Sequence, residues 1–221
     1  MKRAVVFDLD GTLVDTALDL AFGVNAALAS LGRPPRTIEH VRSIVGHGVV
    51  SLLSRALDVA ESDDLVHEAK KVFDVAYLEH VAVDSRPYPG VVEALEGLDS
   101  LGFLLGVATN KSRPFALPLL RAMGLPHLSA IACADECAVR KPNPAVLALA
   151  CARLRVRPVT TLFVGDSPVD IETGRAFGSR VAGVTWGFQA QALGALGAPL
   201  MRTPAELLGF SRALLRDFDR A

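Results

Sequence analysis

Ala4-Val5-Val6-Phe7-Asp8-Leu9-Asp10-Gly11-Thr12-Leu13 is the stretch on which the reading of this chain turns. Four apolar residues, Val5 and Val6 β-branched among them, run straight into an aspartate, the pattern of a short strand buried in a parallel sheet. Two carboxylates then stand two residues apart where that strand ends, and open parallel sheets bind ligands at the carboxyl ends of their strands. If the backbone stays extended through Asp10, both side chains point to one side. Gly11 permits a sharp exit or a close approach of backbone. Carboxylates so placed repel unless a cation lies between them or one holds a proton, which points to a hard, oxygen-seeking metal, Mg2+ before others. The plain alternative is that Asp10-Gly11 only marks a hairpin turn.

Segments of the same character recur at Phe103 to Thr109, Ala130 to Cys133, Thr161 to Gly165 and Arg180 to Val184. A stretch with helical signals follows each of the first four strands, so the expected fold class is α/β, with a doubly wound, mainly parallel, Rossmann-like sheet. Asn143-Pro144 offers a cap and a first-turn proline, and Gly124 and Gly178 mark helix ends. Pro118 falls inside the helix expected from Arg113 to Met123 and should kink it or delay its start. Roughly 90 residues separate the first strand from the second, against about 2 to 6 in an ordinary loop of such units. Helical spacing through Leu18, Phe22, Leu28 and Leu31, then Leu52, Leu53, Ala56 and Leu57, then Leu65 to Val81, predicts an all-helical insertion. It occupies 15–85, set into a core formed by 1–14 and 86–221, and the chain leaves it through Arg86-Pro87-Tyr88-Pro89-Gly90. Thr16-Ala17-Leu18-Asp19 reads as the capping box that opens its first helix.

Composition narrows the class. The 221 residues are 51% hydrophobic and 21% charged, enough for a real core and unlike a disordered chain. Lys and Arg total 23 against 24 Asp and Glu, a net charge of -1 that lacks the basic excess a nucleic-acid binder needs. The 3 cysteines, Cys133, Cys137 and Cys151, form no CxxC pair and suit a reducing compartment. No secretory signal and no membrane-length apolar run is legible. The expectation is a soluble, cytoplasmic protein, monomer or homodimer, with neither membrane nor nucleic acid as partner.

A second acidic pair lies in Gly165-Asp166-Ser167-Pro168-Val169-Asp170, again across a strand-to-helix turn. Asp170 is also what a capping box on Ser167 calls for, so metal ligation and plain helix capping both remain open for it. Convergence of both strand ends on one crevice favours ligation by Asp166. Thr109-Asn110 ends another strand and, with the N–H groups that follow, suits an anion such as phosphate. Lys141, ahead of Pro142, would balance the assembled negative charge, or is a solvated loop lysine. No phosphate-binding GxxxxGK[ST] loop, GxSxG elbow or HExxH helix occurs. Among the 5 histidines only His47, between Gly46 and Gly48, invites a role.

These segments together resemble the four ordered motifs of the haloacid dehalogenase superfamily of aspartyl-phosphate phosphatases: Asp8 to Thr12, Thr109-Asn110, Lys141-Pro142, and Gly165 to Asp170. The helical insertion directly after the first motif is similar to the C1 cap of that superfamily. Gly11 to Thr16, Gly46-His47-Gly48 through Leu57, Thr109-Asn110-Lys111 and Val184-Thr185-Trp186-Gly187 resemble its phosphoglycolate phosphatase branch. The resemblance implies Asp8 as nucleophile and Asp10 as general acid and base. It implies Mg2+ on Asp8, the Asp10 carbonyl and Asp166, with support from Asp170. Thr109, the Asn110 backbone and Lys141 would bind the phosphoryl oxygens.

The implied activity is Mg2+-dependent hydrolysis of a small phosphorylated metabolite through an aspartyl-phosphate, with 2-phosphoglycolate first among substrates. His47 or its neighbouring N–H groups would then meet the substrate's carboxylate. Sugar phosphates, nucleotides, pyrophosphate, β-phosphoglucomutase activity and a non-catalytic phosphate-binding module are the alternatives.

Overall fold

The computed structural model describes residues 2–218, so Met1 and the last three residues of the expected core lie outside the described residues. Its centre is a six-stranded parallel sheet: Ala4–Phe7 (β1), Leu104–Thr109 (β4), Leu128–Cys133 (β5), Thr161–Gly165 (β6), Arg180–Val184 (β7) and Leu200–Met201 (β8). The order is β5-β4-β1-β6-β7-β8, which puts the first strand between β4 and β6. The α/β class expected from the sequence holds. β8 is a strand the sequence reading misses, because two residues carry no period.

Burial on both faces explains the composition of β1. Val5 and Phe7 face one apolar cluster, while Ala4 and Val6 face another, so successive residues feed two cores. The second core is closed by Ala145–Leu154 (α7), through Val146, Leu147, Ala150, Cys151 and Leu154. Val91–Ser100 (α5) covers the first with Leu95 and Leu98, and Pro204–Phe218 (α9) packs against α5. Pro168–Phe177 (α8) lies along β6 and β7.

Arg113–Met123 (α6) corrects one expectation. The helix starts on time and runs through Pro118. Pro118 is the sixth of its 11 residues, and the intrahelical bond it forgoes is the one to the Pro114 carbonyl.

Four helices lie between β1 and β4 ahead of α5: Ala17–Ser30 (α1), Ile38–Ile44 (α2), Val49–Leu57 (α3) and Asp64–His80 (α4). Entry and exit are tied together, since Val14–Asp15 (β2) pairs antiparallel with Arg86–Pro87 (β3). α1 begins where the capping box was read, but not by that device. Thr16 makes no side-chain cap bond; its hydroxyl donates to Asp10 Oδ1 at 2.7 Å. Asp19, fully buried, accepts from Asp84 N–H (2.9 Å), Ser85 N–H (2.9 Å) and Ser85 Oγ (2.6 Å), and meets His80 Nδ1 at 2.9 Å. One carboxylate thus fastens α1 to the end of α4 and the exit segment. Among the described residues no helix is long and apolar enough to cross a membrane.

Burial alone would raise the Asp19 pKa, but the Ser85, Asp84 and His80 hydrogen bonds outweigh it and hold the carboxyl below its ordinary 3.8. Its contribution is therefore present above the unfolded value and is lost as pH falls through the lower folded one. Asp19→Ala is expected to cost about 2–4 kcal/mol at pH 7, since it strands the buried Ser85 N–H and hydroxyl donors. Urea unfolding measures this, and the gap between parent and variant should narrow as pH falls below the ordinary carboxyl value of 3.8. A cost under about 0.5 kcal/mol would contradict the clasp.

Candidate active site

The carboxyl ends of β4, β1 and β6 stand side by side, and each delivers a residue singled out above. Asp8 follows β1, its N–H bonded to the Val164 carbonyl at 2.9 Å as the ladder continues. Thr109 closes β4, and Asp166 follows β6. Lys141 arrives from the loop before α7, almost completely buried. Its ammonium lies 2.8 Å from Asp8 Oδ1 and donates to Asp170 Oδ1 at 2.7 Å and to the Ala108 carbonyl at 3.1 Å.

Asp170 carries both readings left open for it. Its Oδ2 accepts from Ser167 N–H (3.1 Å) and Ser167 Oγ (2.6 Å), completing the capping box of α8, while its Oδ1 holds Lys141. A Cβ on Gly165 would lie 2.2 Å from the Asp170 carboxyl carbon, so only glycine lets that carboxylate in. Asp166 accepts from Thr12 Oγ1 at 3.1 Å and from Phe188 N–H at 2.7 Å. Gly11, at φ +86°, passes so close that a Cβ would lie 2.4 Å from Asp166 Oδ2.

Oxygens of Asp8, Asp166 and Asp170 lie within 4.8 Å of one another, all buried. Burial pushes the Asp8 carboxyl up to about 7, with Lys141 opposing and Asp170 adding to the rise. Burial, then Asp170 and Asp8, push Asp166 up to about 8. Were all three carboxylates ionised, one ammonium would leave two negative charges uncompensated in a water-poor site, a cost that protonation or a cation relieves. Asp8 Oδ1 is an ion-pair partner of Lys141 yet completes no aligned hydrogen bond. An all-oxygen donor set with that deficit fits one hard divalent cation.

On its other side Asp8 opens, with Asp10, Thr109, Asn110 and Lys111, into a cavity of about 50 Å³. The helical insertion closes it through Gly46, Gly48, Phe73 and Tyr77. A groove of about 1050 Å³ adjoins it, sharing Gly48, Asn110, Ser112 and Phe115. Asn110 is a joint rather than a free ligand. Its Oδ1 accepts from Lys141 N–H at 2.9 Å, and its Nδ2 donates to the carbonyls of Lys141 (3.1 Å) and Gly46 (2.8 Å). Gln189 Nε2 donates to the Val45 carbonyl, Arg140 pairs with Glu61, and Phe115 meets Phe73 and Tyr77 edge to face, so the insertion sits closed on the core.

The structure thus brings Asp8, Asp10, Thr109, Lys141, Asp166 and Asp170 together. His47 is not among the residues lining the cavity. Burial, with Arg55 and Arg140 nearby, holds its pKa below the ordinary value, and its Nδ1 is buried without a partner among the described residues. Two residues were not assigned from sequence. Lys111 pairs with Asp10 at 2.9 Å, and Tyr77 lies beneath it, ring centroid 4.7 Å from the ammonium. Lys111 directly follows Thr109-Asn110, a signal that was available; Tyr77 carries none beyond the core-facing stripe of α4.

The haloacid dehalogenase-like hydrolase family model matches residues 2–178, and the chain belongs to that family. It is 40% identical over 191 residues to the phosphoglycolate phosphatase of Nitrosospira multiformis, covering 84% of each chain. It is 38% identical over 187 residues to the N-acetylmuramic acid 6-phosphate phosphatase of Pseudomonas aeruginosa, covering 84% of this chain and 83% of that one. A crystal structure of a predicted phosphoglycolate phosphatase from Haemophilus somnus superposes with TM-score 0.87 at 31% identity, over 95% of this chain and 98% of the other.

Metal-free protein is expected to lose stability as pH rises from about 4 to about 8, because the unfolded chain gives up the Asp8 and Asp166 protons first. Mg2+ should therefore raise the melting temperature more at pH 8 than at pH 5. Equal shifts at the two pH values would contradict cation binding at these carboxylates.

Proposed function

We propose that this chain is a Mg2+-dependent phosphomonoesterase that works through an aspartyl-phosphate, with 2-phosphoglycolate as its substrate. The observation that carries the reading is the double exposure of Asp8. One side meets the buried acidic cluster and Lys141, and the other opens with Asp10 into a small covered cavity.

In the first step an Asp8 oxygen attacks phosphorus, the ester oxygen departs, and Asp10 delivers a proton to it. In the second, Asp10 takes a proton from water as that water attacks the phosphorus of the acyl phosphate, and Asp8 leaves as carboxylate. Lys141 neutralises phosphoryl charge, and Thr109 and the N–H groups after β4 hold the equatorial oxygens. Asp8, the Asp10 carbonyl and Asp166 would hold a divalent cation, which would supply further charge compensation, while Asp170 keeps Lys141 in place. Residues 15–85 serve as the cap over a core of 1–14 and 86–221, and they exclude water from the reacting atoms. His47 lies in the loop between Gly46 and Gly48, where the Gly46 carbonyl accepts from Asn110 Nδ2.

The 40% identical relative carries that activity in its name, and the cavity shared by Asp8 and Asp10 is small. The adjoining groove of about 1050 Å³ favours one other reading, a phosphosugar acid such as N-acetylmuramic acid 6-phosphate, with the sugar in the groove.

Asp8→Asn should lower kcat by at least about a thousandfold with an unchanged circular dichroism spectrum, since the amide is nearly isosteric but a far poorer nucleophile. Activity within about tenfold of the parent would contradict the role. Comparing kcat/KM for 2-phosphoglycolate, N-acetylmuramic acid 6-phosphate, glucose 6-phosphate and AMP settles the substrate. A preference for any but the first would overturn that part of the proposal.

A further inference from the structure

The leaving-group end of the cavity contains a cation that the nucleophile and the acidic cluster do not use. Lys111 is buried, and its ammonium stands 2.9 and 3.1 Å from the two oxygens of Asp10. It is therefore a fixed positive charge at the wall of the cavity. Tyr77, 1% exposed, lines the same wall. Its hydroxyl is near enough to feel Lys111 but completes no aligned hydrogen bond, leaving a buried polar atom short of a partner. Such atoms are costly in a folded protein unless a ligand or water completes them. Asp10 has a second donor in Thr16 Oγ1 at 2.7 Å, so it stays in place if Lys111 turns away.

We propose that Lys111 and Tyr77 form an anion subsite for the leaving group. A carboxylate on the carbon next to the ester oxygen takes Lys111 from Asp10 and accepts the Tyr77 hydroxyl, and Asp10, held by Thr16, is left facing the ester oxygen. The subsite rests on the phosphatase reading above and names its substrate class from residues of this chain: phosphate esters of small hydroxy acids. A neutral leaving group offers nothing to draw Lys111 away, and a cationic one meets a like charge in a desolvated wall.

The test is kcat/KM for 2-phosphoglycolate and for 2-hydroxyethyl phosphate, close in size but neutral at the leaving group, with the parent, Lys111→Met and Tyr77→Phe. The parent should prefer the acid by about a hundredfold or more, as a site built around a charged hydrogen-bonding group does. That ratio should fall by about thirtyfold in Lys111→Met and by about threefold or more in Tyr77→Phe. Using the ratio removes any loss both substrates share through a misplaced Asp10. If Lys111→Met does not fold, Tyr77→Phe, which deletes one oxygen, decides alone. Unchanged ratios in the folded variants, or a parent that hydrolyses both esters alike, would overturn the subsite. A parent that hydrolyses neither contradicts the 2-phosphoglycolate assignment on which the subsite rests.

Discussion

The ammonium of Lys141 is what allows three aspartates to share the buried crevice at the strand ends. It touches Asp8 from β1, Asp170 from α8 and the Ala108 carbonyl of β4, so one side chain joins two neighbouring strands of the sheet to a helix packed on it. Removing one partner of a buried ion pair costs about 3–5 kcal/mol, because a charge is left uncompensated. The surroundings are built to that end. Gly165 leaves room for the Asp170 carboxylate, and Asn110 brackets the Lys141 peptide through both its N–H and its carbonyl. One lysine still does not balance three carboxylates, and burial, with Asp170 adding to it, keeps the Asp8 and Asp166 pKa values raised.

Asn110 carries the arrangement from the core to the helical insertion. The same amide nitrogen that donates to the Lys141 carbonyl donates to Gly46, so the loop over the cavity is registered against the residue that sets the charge beneath it. Asp19 does the corresponding work at the far end of the insertion, where it ties α1 to Asp84 and Ser85 ahead of the exit strand. The insertion is held at its loop and at its root, with the cavity between.

Much of this was legible because it is local. Apolar runs ending in Asp8, Thr109 and Gly165 announced β1, β4 and β6, and their shared strand-end position announced the crevice. Signals with two local meanings resolved less cleanly. Thr16 and Asp19 have capping-box spacing, yet Thr16 serves Asp10 and Asp19 serves residues more than sixty positions away. His47, singled out for lying between two glycines, is not among the cavity-lining residues, whereas the cation on the cavity wall is Lys111, 101 residues from its partner Asp10. Such pairs depend on which strand lies beside which, and neither spacing nor composition encodes that order. Asp170 shows the converse, since its capping and charge-holding roles use different oxygens of one carboxylate.

The central claim is that Asp8, poised between Lys141 and the covered cavity, receives the phosphoryl group. Rapid acid quenching during turnover of 2-phosphoglycolate, followed by peptide mass spectrometry, tests it most directly. One phosphoryl group on the peptide bearing Asp8, absent from Asp8→Asn, is the predicted result. Turnover with no covalent phosphoenzyme, or with the phosphoryl group on another residue, would contradict the account.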